Sequence, residues 1–239
     1  MDTLFAYWPV ALQALYETVW ISVTTITGGA IGAVLLGACR LSKSRNVRAS
    51  VAVFTEVVRG PSALVLLFWV FYALPLVPGM PHFSPTGAAI LVLILDGAVY
   101  GSEIVRSGIE SVPGEQSDAC HALGLSKVCS FTKVVLPQAL SQITPAFGSL
   151  ARDMIKWTAI VSFVGVHDIL YVANFVRGQT FHTATVFCIV AGIYWVLCLI
   201  CAGFFRIIER ALPLNRAANA RILPTPKRRS SMLVGGEAK

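Results

Sequence analysis

"SDACHALGLSKVCSFTKVVLP", residues 117–137, is polar where the sequence on either side is apolar enough to lie in lipid. With the preceding "VPGEQ" it reads as two short helical patterns divided by a glycine. Pro113 and Gly114 stand before the first, and Glu115 falls in its first turn, where a carboxylate meets the positive end of the helix dipole. Ala119, Ala122 and Leu123 share a face, and Gly124 suits a left-handed stop. Ser126 can cap the second pattern, in which Val128, Phe131, Thr132 and Val135 recur at i, i+3, i+4 and i+7. Pro137 then pre-sets the first turn of the next helix. Two amphipathic turns joined by a glycine make a compact projection, which this pattern alone allows to be a self-packed loop or a docking element.

The surrounding chain fixes the solvent. Of 239 residues, 56% are hydrophobic and 13% are charged, against about a quarter charged in soluble domains. Five apolar stretches stand out, at 18–39, 62–80, 86–105, 138–164 and 183–205. At about 1.5 Å per residue, each reaches across roughly 30 Å of hydrocarbon. The expected fold is therefore all-α, a polytopic membrane protein with about five transmembrane helices in one domain, residues 1–211. Residues 212–239, rich in Arg, Pro and Ser, are expected to be a disordered tail that meets anionic lipid. Gly28, Gly29, Ala30, Gly32 and Ala33 would let a neighbouring helix approach the first span closely. The first twenty residues lack the basic start of a cleaved signal and read as mature sequence.

The net charge of +7 is divided among three clusters. Arg40, Lys43, Arg45, Arg48 and Arg59 lie in a loop at 40–59; Arg106, Lys127 and Lys133 lie at 106–137; Arg206, Arg210, Arg216, Arg221, Lys227, Arg228, Arg229 and Lys239 lie at the end. No aromatic-studded basic groove accompanies them, which argues against nucleic acid. The positive-inside rule instead places all three in the cytoplasm, with the N-terminus outside and the C-terminus inside.

Little in the sequence suggests catalysis. No phosphate loop of the G-x-x-x-x-G-K-[ST] type occurs. The four histidines, His82, His121, His167 and His182, are far apart and read as interfacial or capping residues. The six cysteines, including the Cys198/Cys201 pair, read as small apolar fillers, because no His or second Cys pair completes a metal site. No cofactor or metal is expected.

Charges inside the apolar stretches are costly toward lipid, about 2.5–3.5 kcal/mol or more each at mid-depth, and should face the interior or a partner. Asp96, near the middle of the third stretch, is the best candidate to touch substrate, the alternative being an interhelical hydrogen bond. Arg152, Asp153, Lys156 and Trp157 cluster on the fourth, with Arg152 and Lys156 on one face. Lys156 can bind a substrate carboxylate, or pair with Asp153 or a partner subunit. Glu103 with Arg106, and Glu56 with Arg59, are i, i+3 pairs that read as structural.

The spacing Asp118-Ala119-Cys120, three residues, Gly124, nine residues, Val134-Val135-Leu136-Pro137 resembles the EAA signature of permease subunits in binding-protein-dependent ABC importers, with Asp118 and Cys120 as departures. "EVVRGPSALVLLFWVFYALP" from Glu56, "YGSEIVRSGIESVPGEQSDACHALGLS", "VVLPQAL" and "IKWTAIVSFVGVHDI" are similar to the polar amino acid permeases of the histidine and glutamine type. The likeness covers residues 12–205. Lys156 and Ser162 match family positions, Trp157 and Ala159 depart around them, and Asp96 replaces a common Asn, which would favour a cationic substrate group.

The resemblance implies a permease subunit for polar amino acids or related small zwitterions, working with a second permease, two ATPase subunits and an external solute-binding protein in a bacterial inner membrane. Under it, the cytoplasmic 107–137 loop couples to the ATPase through Glu115, Asp118, Ala119, Cys120, Ala122, Leu123, Gly124, Leu136 and Pro137, while Asp96, Arg152, Asp153, Lys156, Trp157 and Ser162 line the substrate pathway. The neighbouring reading within transport is a compatible-solute importer of the ectoine type. Two other classes are a secondary transporter, which would carry more crossings and an inverted repeat, and a membrane enzyme, which would need a reactive constellation.

Overall fold

A computed structural model describes residues 8–212, and every regular element among them is a helix. The long helices are α1 (Trp8–Arg40), α4 (Pro85–Glu110), α7 (Leu136–Trp157, extended as a tight 3-10 turn over Thr158–Val164) and α9 (Thr183–Ala211). Shorter pieces are α2 (Arg45–Arg59), α3 (Ala63–Phe68), α5 (Gly114–Ala122), α6 (Lys127–Ser130) and α8 (Ile169–Thr180). Three helices, α1, α4 and α9, are long and apolar enough to span a membrane alone. Two bent pairs, α2 with α3 at 93° and the helix through Val164 with α8 at 55°, reach that length and apolarity only when the two members of each are taken together. Against the five crossings expected, the helices offer three to five.

The bundle is organised around α4. Its partner α1 buries Ala14, Thr18, Ser22, Thr25, Gly29, Ala33 and Gly37 inward and turns Val19, Trp20, Val23, Ile31, Val34 and Leu35 outward. Small and hydroxyl-bearing residues face protein because lipid supplies no hydrophobic force to drive helices together, so close van der Waals contact must do so. Hydroxyl protons inside the seam find backbone acceptors: Thr18, Ser22 and Thr25 donate to carbonyls four residues earlier at 2.7–2.9 Å. A Cβ built on Gly32 would lie 2.6 Å from that of Ala98, and one on Gly37 would lie 2.8 Å from Val105. Gly101 sits equally close to Ala33 and Phe147.

These contacts also set direction. Residues 28, 32 and 37 of α1 meet 94, 98 and 105 of α4, so the two run parallel. Met154, Phe147 and Ile143 of α7 meet Gly97, Gly101 and Gly108, so α7 runs antiparallel to both. On α9, Phe205 lies against Gly148, and the Cys198 thiol is 3.8 Å from the Arg152 carbonyl, reversing direction once more. The four long helices thus run in the directions that the crossing order requires, and the basic clusters at Arg40–Arg48, Lys127–Lys133 and Arg206–Arg210 gather at one end.

The structure corrects several boundaries. The first span begins at Trp8, ten residues earlier than expected. The expected loop at 40–59 is mostly the helix α2. The expected span at 62–80 is helical only to Leu76; its 14 helical residues reach only about 21 Å. Helix α8, unforeseen, starts after a left-handed Gly165 (φ 83°). Buried Asp168 caps it by accepting from the Tyr171 N–H at 2.9 Å, and the Ile169 N–H donates to Thr18 Oγ1 at 3.2 Å. The tail assigned to 212–239 lies outside the described residues beyond Leu212.

Candidate functional site: an extramembrane helix pair and a mid-bundle charge cluster

The 111–137 segment folds as its sequence requires. Helix α5 ends at Ala122, Gly124 takes φ 76°, and the Gly124 and Leu125 N–H groups return to the His121 and Cys120 carbonyls. The open left-handed backbone at Gly124 excludes a β-branched residue. Ser126 accepts from the Cys129 N–H at 3.3 Å and starts α6. The two halves are tied by Gln138, which donates to Gln116 of α5 and to the Val134 carbonyl.

Pro137 does lie in the first turn of α7, but the chain reaches it without a break. Residues Phe131–Val135 form a wide π turn in which the Leu136 N–H bonds to the Phe131 carbonyl. A proline ring crowds the carbonyl four residues back and offers it no N–H, so the widened turn makes room. The same device recurs at Trp69–Ala73, where the Leu74 N–H reaches Trp69 ahead of Pro75. One rod therefore runs from α6 into the membrane span.

Of the residues expected to couple, Glu115, Asp118, Ala119, Ala122, Leu123 and Gly124 are exposed, and Leu136 and Pro137 are half-buried. Cys120 is buried, so its side chain offers little surface to a partner. The projection instead presents Leu123 (79% exposed) and Val128 (73%), flanked by Leu125 and Phe131. Leu125 carried no periodic signal, because it sits in the turn between the two patterns. His121 faces the Leu125 carbonyl at 3.4 Å and supports that turn.

Deeper in the bundle, Asp96 is 6% exposed, and among the described residues no hydrogen bond to it is found, so the interhelical bond considered for it is not made. Arg59 is the nearby charge that acts on it. The Arg59 guanidinium stacks 4.7 Å above the Tyr100 ring rather than pairing with Glu56, and Tyr100 in turn meets Trp157 at 5.7 Å. Arg59 and Tyr100 were missed as site residues: their roles depend on the 93° bend that swings α2 against α4. Lys156 pairs with Asp153 at 2.8 Å, while Arg152 donates to Ser149 at 3.0 Å, so the Arg152 and Lys156 cations are engaged separately. Ser162 lies further along, in a shallow cavity of about 260 Å³ with Tyr171 and Asn174. The structure thus brings Asp96 to the depth of Met154–Trp157 and leaves Ser162 apart.

At the boundary, Glu103 receives both Arg106 and Arg40, the latter at 2.8 Å, and Arg106 also bonds Glu110. The expected Glu103/Arg106 pair is made, within a larger network. No group of His, Cys, Asp or Glu that could hold a metal is found among the described residues.

A helical membrane unit with charged groups at mid-depth and a stiff, apolar-tipped projection at its basic end is the architecture of a transporter subunit driven from elsewhere. The chain belongs to the binding-protein-dependent transport system inner membrane component family, which matches residues 9–213, and is a permease subunit of an ABC importer. It is 33% identical over 204 residues to a "Probable amino-acid ABC transporter permease protein" of Sinorhizobium fredii, covering 84% of this chain and 86% of that one. It is 29% identical to an L-cystine transport system permease protein of Bacillus subtilis, covering 87% and 88%. Among solved structures it superposes on an amino acid ABC transporter crystallised with histidines at a TM-score of 0.80 and 27% identity, covering 87% of this chain and 97% of that one. These likenesses favour the ATP-driven reading over a secondary transporter or a membrane enzyme.

Proposed function

We propose that this subunit imports a polar amino acid, that its 111–137 projection receives the stroke of a separate ATPase, and that Asp96 and the Arg152–Lys156 turn line the route of the substrate. It is non-catalytic in itself and works with a second permease and an external solute-binding protein. The N-terminus lies outside and the basic end faces the cytoplasm, where nucleotide is available.

The observation that carries the coupling role is the exposed patch of Leu123, Leu125, Val128 and Phe131 on a projection tied rigidly to α7. Apolar tips this open on an otherwise polar element mark a protein contact. The π turn keeps the projection continuous with the span carrying Lys156, so a push on the tip is transmitted as motion of that helix. For Asp153 and Lys156 the pathway role rests on exposure at depth; for Asp96 it rests on a buried carboxylate that no hydrogen bond among the described residues satisfies. The Asp153 and Lys156 side chains are 51% and 60% exposed at the level of Gly97, where lipid would be costly. A second permease and an aqueous route between the two would cover them. A zwitterion fits such a route, with a carboxylate for Lys156 and an ammonium for Asp96.

The test is to purify the assembled complex with its binding protein and screen amino acids for stimulation of ATP hydrolysis. Stimulation by one polar amino acid, lost when Leu123 and Val128 become Ser, is expected. Stimulation only by other solutes would remove the amino acid assignment, and unchanged stimulation in the double variant would remove the coupling assignment.

A further inference from the structure

Helix α2 is the element that transport leaves unused. It turns 93° from α3; the chain entering it is held by Arg40, the last residue of α1, on Glu103, and its first turn by Arg48 donating to the Ser42 carbonyl at 3.1 Å. Its end is held by Arg59 on Tyr100. Between these anchors Thr55 and Val58 are buried against the bundle. With about 100° between successive residues, that leaves two opposite flanks. One carries Val47, Val53, Phe54 and Val57, all exposed, Val53 and Val57 by 64% and 66%, with the uncharged Asn46 and Ser50 among them. The other carries Arg45, Arg48, Glu56 and Arg59, with Lys43 in the turn before it.

Neither bulk solvent suits both flanks. Water leaves four large apolar side chains uncovered, and hydrocarbon strips the cations of hydration. A boundary between the two satisfies both, because a helix lying in it sinks its apolar flank among acyl chains and keeps its cations at headgroup level. Packing through Thr55 and Val58, roughly at right angles to that division, attaches α2 to the bundle without covering either flank. We infer that α2 is an interfacial helix that binds anionic phospholipid, with Lys43, Arg45 and Arg48 on the headgroup phosphates. Glu56 offsets one of these charges and leaves the flank positive. The choice of the cytoplasmic leaflet rests on the orientation proposed above; the lipid contact itself does not.

The full assembly in bilayers of phosphatidylethanolamine and phosphatidylglycerol supplies the test. A benzophenone amino acid at Val53 or Val57 should on illumination gain the mass of a phospholipid; an adduct to a polypeptide instead would overturn the inference. Spin-labelled phosphatidylglycerol should be preferred over spin-labelled phosphatidylcholine. In Lys43→Gln/Arg45→Gln/Arg48→Gln that preference should fall by about fivefold for each cation removed at low salt. A preference unchanged by the triple substitution, in a variant that still assembles, contradicts the lipid site. Acylation of Lys43 by a membrane-impermeant reagent from the outer side would refute the orientation alone and leave the lipid contact standing.

Discussion

Asp96 is a carboxylate inside the bundle whose nearest organising charge is the Arg59 guanidinium stacked on Tyr100. A buried acid without a hydrogen-bond donor is uncommon, and one at mid-membrane depth marks a candidate binding position. Replacing it with Asn removes the charge and keeps the shape. We expect Asp96→Asn to raise the KM for uptake of a cationic or zwitterionic substrate about 10- to 100-fold at equal membrane abundance, the loss of one charged hydrogen bond. Unchanged affinity and specificity would remove Asp96 from the pathway. The seam is open to a similar comparison. Gly32 faces the Ala98 Cβ at a distance no substituent tolerates, while Gly203 on α9 has nothing within 4 Å. Gly32→Val should destabilise the purified subunit by about 1–3 kcal/mol through overpacking, read as a lower Tm in detergent, and Gly203→Ala should leave it unchanged or raise it. Equal effects would show that the seam does not hold α1 to α4. The first-span glycines were legible because small residues clustered in an apolar run have few other uses. Tyr100 and Arg59 were not, since their meeting depends on a bend between helices that no local pattern encodes.

At the scale of the element, the projection was the most legible part of the chain. Gly124 and Ser126 act through their own backbone and the next three residues, so their signals are local and survive folding unchanged. What local reading missed was the junction with the membrane. The pattern suggested a helix beginning near Pro137, whereas a π turn carries α6 through the proline into α7. Helices α2 and α8 were missed for another reason: each is too short or too mixed in polarity to register as a span, and each exists because tertiary contacts hold it against α1 and α4 or against α9. Gly124→Val should keep the spans in place and uncouple hydrolysis from uptake, because a β-branched residue is strained at φ 76°. Membrane abundance, ATPase rate and uptake measured together check this. Normal uptake at normal abundance would mean that the turn's geometry is not what transmits the stroke.

Across the whole molecule, composition fixed the class and basic residues fixed a common end, which the helix registers then bore out: α1 and α4 parallel, α7 and α9 reversing in turn. The substrate was less legible, because the charges proposed to line its route, Asp153 and Lys156, are left largely uncovered by this chain. Asp153 and Lys156 are paired yet half open, and a subunit that met only lipid there would be poorly soluble in its own membrane. The proposed coupling requires the apolar tip of the projection to lie against the ATPase subunit. A photo-reactive residue at Val128 in the assembled transporter measures it directly. An adduct with the ATPase, with and without nucleotide, is the predicted result; an adduct only with lipid, or labelling of Val128 from the outer face of intact cells, would contradict it.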